Sequence, residues 1–410
     1  MADPREDPYP DVYREDPYPD VYREDPYPDV YREDPYPDVY IGGGFSDPAS
    51  APPDPRPGRL SGPVGGFGRF GGFGVFGRFG GFSGLDRFNR IGGLGGFGRL
   101  SRLGPGRGRD RILSAVAVVT GLVMVCHSLV PNSPGSLGSL LETVLPWTGL
   151  AVPVLLLAAL VRRSVPAVVA TLLLGAVWCA MFASLYVGAG SDTEPNLTVV
   201  THNVNAANSD PAATARTLLA ADPDLVALEE VTDEALPAYR KVLDRRLTHR
   251  VHIGTVALWS RYPITESRRV TIDPGWSRSL RAQVRGPNGP LAVYVVHLPS
   301  VRVGASGFAV ARRDETLAAL DRAVDQERQK KVLLLGDLNG ATTDRALAPL
   351  TSRLTSVKDE AGTGFGFSWP AAFPIARIDH ILTRGVTPTD AWTLPATASD
   401  HRPIAADLKA

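Results

Sequence analysis

Cysteine is scarce in this chain: its 410 residues contain two, Cys126 and Cys179, and both lie inside apolar runs. That scarcity excludes a disulfide framework and a cysteine-ligated metal centre. Net charge is absent too, with 43 Lys plus Arg against 43 Asp plus Glu, so no global excess points to a nucleic-acid binder. The balance of the whole hides an acidic segment followed by a basic one. Glycine and proline, 42 and 36 residues, crowd toward the first quarter and mask long apolar runs that would not stay in water. One soluble globular domain is therefore excluded.

Residues 5–40 are four identical copies of Arg-Glu-Asp-Pro-Tyr-Pro-Asp-Val-Tyr, starting at Arg5, Arg14, Arg23 and Arg32. A nine-residue acidic unit with two prolines buries too little apolar surface to offset its ordering entropy, which predicts disorder. Between 65 and 98 the chain turns to Gly and Phe punctuated by Arg69, Arg78, Arg87 and Arg90, a flexible cationic tract. Residues 1–110 are thus expected to form a disordered tail.

Behind Arg107, Arg109 and Arg111 comes an apolar run from Ile112 to Val130, followed by Val144–Val161 and Val165–Val187. Each is about long enough for a ~30 Å hydrocarbon core, which predicts three transmembrane helices within 111–188. The loop Pro131–Thr143 has no Lys or Arg, whereas the approach to the first run and the Arg162–Arg163 turn are basic. The positive-inside rule then puts the N-terminus and that turn in the cytoplasm, and an odd number of spans puts the rest outside: a multi-pass protein of the cell membrane.

From 196 to 410 the texture changes. Leu197–Val200, Asp224–Leu228, Leu291–Val296, Val332–Leu335 and Ile378–Leu382 are short β-rich runs, separated by helix-like stretches such as Pro211–Ala221 and Ala311–Gln329. The class is α/β, and the length suffices for one well-packed domain. Its small excess of Lys and Arg suits a phosphate ligand without suggesting a nucleic-acid groove.

Polar residues gather where those runs end: Thr-His-Asn-Val-Asn at 201–205, Ala-Leu-Glu-Glu-Val at 227–231, Val-Val-His-Leu at 295–298, Gly-Asp-Leu-Asn at 336–339, Arg-Ile-Asp-His at 377–380 and Ser-Asp-His at 399–401. Together they supply carboxylates, carboxamides and imidazoles, the set needed to hold a hard divalent cation and handle a phosphate. Asp337 and Asn339 are two apart, so an extended chain turns both the same way. An imidazole such as His401, titrating near neutrality, can exchange a proton or, as a cation, stabilise charge on phosphorus. His127, His202, His249, His252 and His380 read as structural.

These motifs, in this order, resemble the endonuclease/exonuclease/phosphatase superfamily over essentially all of 196–410. The resemblance implies a four-layer α/β sandwich, two packed β-sheets flanked by helices, with the site at one end of the sheets. It also implies Mg²⁺, or Mn²⁺, held by Glu230 with Asn203 and Asp400 close by. Glu229 stands where relatives commonly have Gln, and Asn205 where some have Asp. The resemblance makes Asp337 the residue that orients or deprotonates water, Asn339 a grip on the phosphate, Asp379 the partner of His401, and His297 a second imidazole. The implied reaction is metal-assisted attack of water on phosphorus without a covalent enzyme intermediate. Arg278, Arg281, Arg302, Arg312 and Arg313 are candidates for a second phosphate.

The stretch 132–143, Asn-Ser-Pro-Gly-Ser-Leu-Gly-Ser-Leu-Leu-Glu-Thr, with Leu-Pro-Trp at 145–147, Arg-Arg-Ser at 162–164 and Ser-Trp-Pro-Ala at 368–371, is similar to actinobacterial VanJ-type teicoplanin-resistance membrane proteins. That likeness implies hydrolysis of undecaprenyl pyrophosphate, the cell-wall carrier lipid. The expected partner is a membrane lipid or lipid-linked phosphate, with no stable nucleic-acid complex; a surface nuclease or phospholipid phosphodiesterase, and a non-catalytic envelope-binding module, are the alternatives.

Overall fold

A strand covered on both faces must be apolar on both, and runs such as Leu225–Leu228 and Val332–Leu335 meet that condition over consecutive residues. In the computed structural model, which describes residues 105–133, 135–186, 193–273, 275, 277–304 and 307–410, both runs lie at the middle of a sheet. The disordered tail expected over 1–110, with its repeats and Gly/Phe/Arg tract, falls up to residue 104 outside the described residues, as does Val187.

Four helices come first: α1 (Pro105–Val125), α2 (Leu137–Val144), α3 (Ala151–Val161) and α4 (Val165–Phe182). The first apolar run is helical only to Val125 and then tightens into a 3₁₀ turn at His127–Leu129. The second begins earlier than its composition suggests, at Leu137, and is broken by a 3₁₀ turn at Leu145–Leu150 that contains Pro146. Two segments, Leu137–Val161 and Val165–Leu185, are long and apolar enough to cross a membrane. The helix of the first run starts at Pro105, so that Arg109, Asp110 and Arg111, and with them the last residues of the expected disordered tail, lie in its first two turns.

The remaining chain forms two six-stranded mixed sheets. The first has the order β13 (Thr387–Thr393), β14 (Ile404–Lys409), β1 (Leu197–Asn203), β2 (Leu225–Glu229), β4 (Val256–Ser260), β3 (His249–Ile253). The second runs β11 (Thr355–Ser356), β12 (Asp379–Arg384), β10 (Val332–Asp337), β7 (Gly289–His297), β6 (Ser279–Gly286), β5 (Ile264–Arg269). A small hairpin, β8 (Arg302–Gly304) with β9 (Gly307–Ala309), stands apart from both. Each large sheet holds one parallel pair at its centre, β1 with β2 and β7 with β10, and is antiparallel elsewhere.

Strand alternation sorts the side chains into layers. Leu197, Val199, Leu225, Ala227, Val293, Val295, Leu333 and Leu335 fill the space between the sheets. On the outer face of the first sheet, Val200, Val226 and Leu228 pack on α5 (Pro211–Leu219) and α6 (Leu236–Leu243) through Ala215, Leu218, Tyr239 and Leu243. On the outer face of the second, Tyr294, Val296 and Leu334 pack on α7 (Ala311–Asp325) and α8 (Ala348–Arg353) through Leu317, Leu320, Val324 and Leu350. Helix–sheet–sheet–helix is the four-layer sandwich. Local chemistry agrees with it: α5 starts where Asp210 accepts from Ala213 N and Pro211 needs no donor.

The helices dock on the sandwich through buried charge. Glu142 of α2, fully buried, takes a forked hydrogen bond from Arg345 Nε (3.1 and 3.2 Å) and one from Arg345 N (3.0 Å), and meets His127 Nδ1 at 3.1 Å. Ser139 Oγ reaches Asp344, which also receives Arg313 Nη2 at 2.7 Å, and Thr343 Oγ1 donates to Glu142 O. Leaving the buried Glu142 charge alone would cost several kcal/mol, on the order of 3–5, so the half-buried Arg345 fixes its place.

Candidate active site

Where the apolar filling between the sheets ends, the same alternation continues with polar residues. Leu197, Val199, Thr201 and Asn203 share one face of β1; Leu225, Ala227 and Glu229 one face of β2; Val293, Val295 and His297 one face of β7; Leu333, Leu335 and Asp337 one face of β10. Register aligns their ends, Asn203 with Glu229, and Asp337 with both His297 and Asp379. The carboxyl ends of parallel strands are the place where α/β sheets put ligands. Gly336 permits the last close approach, because a Cβ at its φ of +138° would run into Val296 O.

Alternation alone would send Glu230 to the outer face. It is instead left-handed, with φ of 60°, and this returns its carboxylate to the cluster. Glu230 Oε1 accepts from Asn203 Nδ2 at 3.1 Å, Oε2 accepts from Ala206 N at 3.0 Å, and His297 Nε2 stands 3.6 Å away. Asn203 Nδ2 also donates to Asp337 Oδ2 at 3.1 Å, so a single amide joins the two carboxylates. Glu229 stays inside the sheet stack and accepts from Thr201 Oγ1 at 2.9 Å. Burial, reinforced by the nearby Asp379 charge, pushes its pKa well above the usual carboxylate range.

Asp379 and His401 make the tightest ion pair of the cluster, with Nδ1 2.9 Å from Oδ2 and 3.2 Å from Oδ1. Burial opposes the charge on His401, but Asp379, and behind it Asp337 and Asp400, win and raise its pKa to about 10. Its other nitrogen faces Asp337 Oδ2 at 3.8 Å. Asp337 is pushed up to about 7 by burial, with His401 working against the shift and Asp379 for it. His297 goes the other way, down to about 4, because burial and then the Arg278 charge disfavour the cation. Neither of its ring nitrogens has a hydrogen-bond partner although the residue is buried.

The cluster therefore brings together Asn203, Glu230, His297, Asp337, Asp379 and His401. Asn339, left-handed at φ of 47°, braces it by donating Nδ2 to Leu298 O at 2.9 Å and to Asp337 Oδ2 at 3.2 Å. Asp400 sits at the rim, where Oδ1 accepts from Asn205 Nδ2 at 2.7 Å and Oδ2 from Trp369 Nε1 at 3.2 Å. Of the arginines, Arg278 lies close enough to feel Glu230 and Asp337. Arg281 is bound to Glu327 and Glu266 across the second sheet, and Arg313 holds Asn339 O and Asp344. His202 and His380 are buried supports, lowered to about 3 and about 4 by burial first.

Two supports escape a reading of the motifs. Ser399 Oγ donates to Asn203 O at 2.7 Å and accepts from His401 N at 3.0 Å, tying the loop that carries His401 to the end of β1; the Ser-Asp-His triplet was its signal. Buried Ser368 accepts weakly from Ile378 N and Asp379 N at 3.3 and 3.4 Å, and nothing in its local sequence announces that.

A divalent cation fits what is here. Asp337, Asp379 and His401 offer ligand atoms that all lie within 4.8 Å of one another, the oxygens of Glu230 and Asp337 converge on one amide, and two imidazole nitrogens lack partners. Oxygen-rich donor sets with few carboxylates suit Mg²⁺ or Mn²⁺.

Residues 200–401 match the model of the Endonuclease/Exonuclease/phosphatase family. No curated protein sequence matches the chain. Among solved structures, the chain is similar to a mannosyl-6-phosphatase of Bacteroides thetaiotaomicron, with 16% identity and a TM-score of 0.45 over 52% of this chain and 99% of that one. It is similar to TDP2 of D. rerio, complexed with a single-strand DNA product, at 20% identity and a TM-score of 0.44 over 52% and 99%. It is also similar to beta toxin from Staphylococcus aureus, at 16% identity and a TM-score of 0.42 over 51% and 99%.

Proposed function

We propose that the protein is a membrane-anchored, Mg²⁺-dependent phosphohydrolase whose substrate is a lipid pyrophosphate of the undecaprenyl type, cleaved on the outer face of the cell membrane. The observation that carries the hydrolase reading is the convergence of Asp337, the Asp379–His401 pair, Glu230, Asn203 and His297 at the aligned ends of two parallel strand pairs. Support for the membrane reading comes from the two apolar segments and from the position of charge around them. Arg162 pairs with Asp110 at 2.9 Å at one end of the helices, while α2 and the sandwich meet at the other. A basic end opposite the catalytic domain is what a cytoplasmic turn and an outward enzyme require.

Glu230 and Asn203 would hold the cation, which when bound supplies positive charge to the phosphate oxygens and makes phosphorus more electrophilic. Asp337, with a pKa near neutrality, takes a proton from water, and Asn339 keeps its carboxylate aimed. His401, kept cationic by Asp379, faces the negative charge that grows on the phosphoryl oxygens. His297, neutral, has a ring N–H free to donate a hydrogen bond to a phosphoryl oxygen of the substrate. The new bond joins the water oxygen to phosphorus, and the anhydride oxygen leaves as part of a lipid monophosphate, an anion stable enough to depart without protonation.

The test is phosphate release by the full-length protein with Mg²⁺ from a polyprenyl pyrophosphate, plasmid DNA and sphingomyelin in parallel. Preference for the pyrophosphate by at least about tenfold is expected, and loss of release in His401→Ala. Nicking of DNA or cleavage of sphingomyelin at comparable rates would replace the lipid reading with the nuclease or phosphodiesterase one. No turnover of any substrate would leave an envelope-binding module.

A further inference from the structure

Among the described residues beyond 193, the large apolar side chains that stand exposed number three, Trp369 (37%), Phe373 (70%) and Ile375 (37%), and they share one short loop. Every other large apolar group among the described residues of the sandwich is at least half hidden, so this cluster is a local departure rather than the scattered apolar surface any protein carries. The stretch 363–376 contains no charged residue.

One end of this loop is fastened to the site. Trp369 Nε1 donates to Asp400 Oδ2 at 3.2 Å, Ala371 N to Asp400 O at 2.6 Å, Arg402 N to Ser368 O and Arg402 Nε to Ala371 O, both at 2.8 Å. Asp400 and Arg402 flank His401, so Trp369 belongs to the rim of the catalytic cluster. The other end is fastened to the apolar helices. Phe365 packs edge-on against Phe182 (5.6 Å), Trp178 (6.1 Å) and Tyr186 (5.6 Å), and Gly364 N donates to Leu185 O at 2.6 Å. Phe365 stacks on Phe367 at 5.1 Å, and Phe367 on Trp147 at 5.6 Å. Trp147 Nε1 donates to Ile375 O at 2.8 Å, with Phe373 beside its ring at 6.4 Å. Ring contacts thus run from the ends of α4 and of the turn before α3 to Phe373, and the bond from Ile375 N to Trp369 O at 2.9 Å carries the track on to the mouth of the site.

We infer that the segment Phe365–Ile375 is the surface along which the hydrocarbon chain of a bilayer-embedded phosphate ester lies while its headgroup occupies the site beside Asp400 and His401. This rests on the membrane-facing reading proposed above and adds to it the residues that recognise the lipid's tail. Continuity decides the occupant: the track begins on the lipid-exposed helices and ends at a phosphate-handling cluster, so one molecule with an apolar tail and an anionic head spans both. Aromatic rings at the level where helices leave the hydrocarbon are also the groups that the membrane interface accommodates best. Tail binding there needs no lid, because the rings are already held from both ends.

The experiment uses the full-length protein in phosphatidylglycerol nanodiscs and a non-hydrolysable methylenediphosphonate carrying a long isoprenoid chain with a diazirine. Photolabel is expected within residues 365–375, reduced at least about fivefold in Phe373→Ser and Ile375→Ser, exposed positions whose replacement leaves the core intact, as circular dichroism checks. In parallel, the ratio of kcat/KM for a long-chain polyprenyl pyrophosphate to that for geranyl pyrophosphate should fall about tenfold in both variants, the worth of one lost apolar side-chain contact. Label confined to α1, α3 and α4, an unchanged ratio, or a dimer that shields Phe373 from label would each overturn the inference. Label on 365–375 without hydrolysis of any pyrophosphate would remove the proposed activity and leave the lipid track standing.

Discussion

The two parallel strand pairs are built alike and end differently. Each is the centre of a six-stranded sheet, each lines the same inter-sheet core, and each stops at the same edge. The pair β1–β2 ends in Asn203, in Glu229, which stays inside the sheet stack on Thr201, and then in Glu230, and on the proposed function Asn203 and Glu230 would give oxygen to a cation. The pair β7–β10 ends in His297 and Asp337, to which the proposed function gives the handling of protons. The backbone supplies equivalent positions, and the identity of the terminal side chain divides the labour. Asn203 crosses the boundary by donating to Glu230 and Asp337 together.

That division is broken most severely from the proton side. Asp337→Asn should lower kcat about 10³-fold, the usual scale for a removed general base, with no recovery at high Mg²⁺. Glu230→Gln should instead appear as a roughly 100-fold weaker dependence on Mg²⁺, recovered in part when the cation is raised and abolished by chelation. Equal rescue of both variants by metal would erase the distinction between the two pairs.

A smaller effect comes through His401. Activity should rise as pH passes about 7, where Asp337 loses its proton, and fall as pH passes about 10, where His401 loses its charge. In Asp379→Asn the cation has lost its main partner while burial still disfavours it, so the alkaline limb should move to lower pH and kcat should drop roughly 10- to 100-fold. A pH–rate profile of the two proteins decides this; an alkaline limb that stays in place assigns it to another group.

The smallest effect separates neighbours. Glu229→Gln should leave activity within about twofold at pH 7, because that side chain points into the sheet stack onto Thr201 and the amide has nearly its shape. Since the folded pKa lies above the unfolded one, the stability this group contributes is greatest below its ordinary value of 4.5 and declines as pH rises toward the folded value. The Gln variant should lose that decline, which thermal unfolding across pH measures. A large loss of activity would make Glu229 a working carboxylate.

Much of this was legible beforehand because it repeats with period two. The runs at Leu225, Leu291 and Val332 announced buried strands, and polar groups at their ends announced the site. Glu230 was preferred to Glu229 only through the family resemblance, since their difference is a left-handed backbone turn that no residue type reports; neither is a glycine or asparagine. The helix ends were displaced for a related reason: Glu142 and Ser139 look like loop residues until Arg345 and Asp344, two hundred positions away, are brought beside them. Charge that is satisfied only at long range leaves no local trace.

The Glu142–Arg345 lock has a practical corollary for anyone dissecting the molecule. Trimming the chain to its sandwich would strand a guanidinium at 345 and strip the aromatic face of Phe365 and Phe367, so a water-soluble fragment inherits a wound at the spot nearest its working end. Helices and sandwich are better regarded as a single casting, in which Ser139 of α2 also reaches Asp344, Asp344 holds Arg313 of α7 and Arg313 holds Asn339.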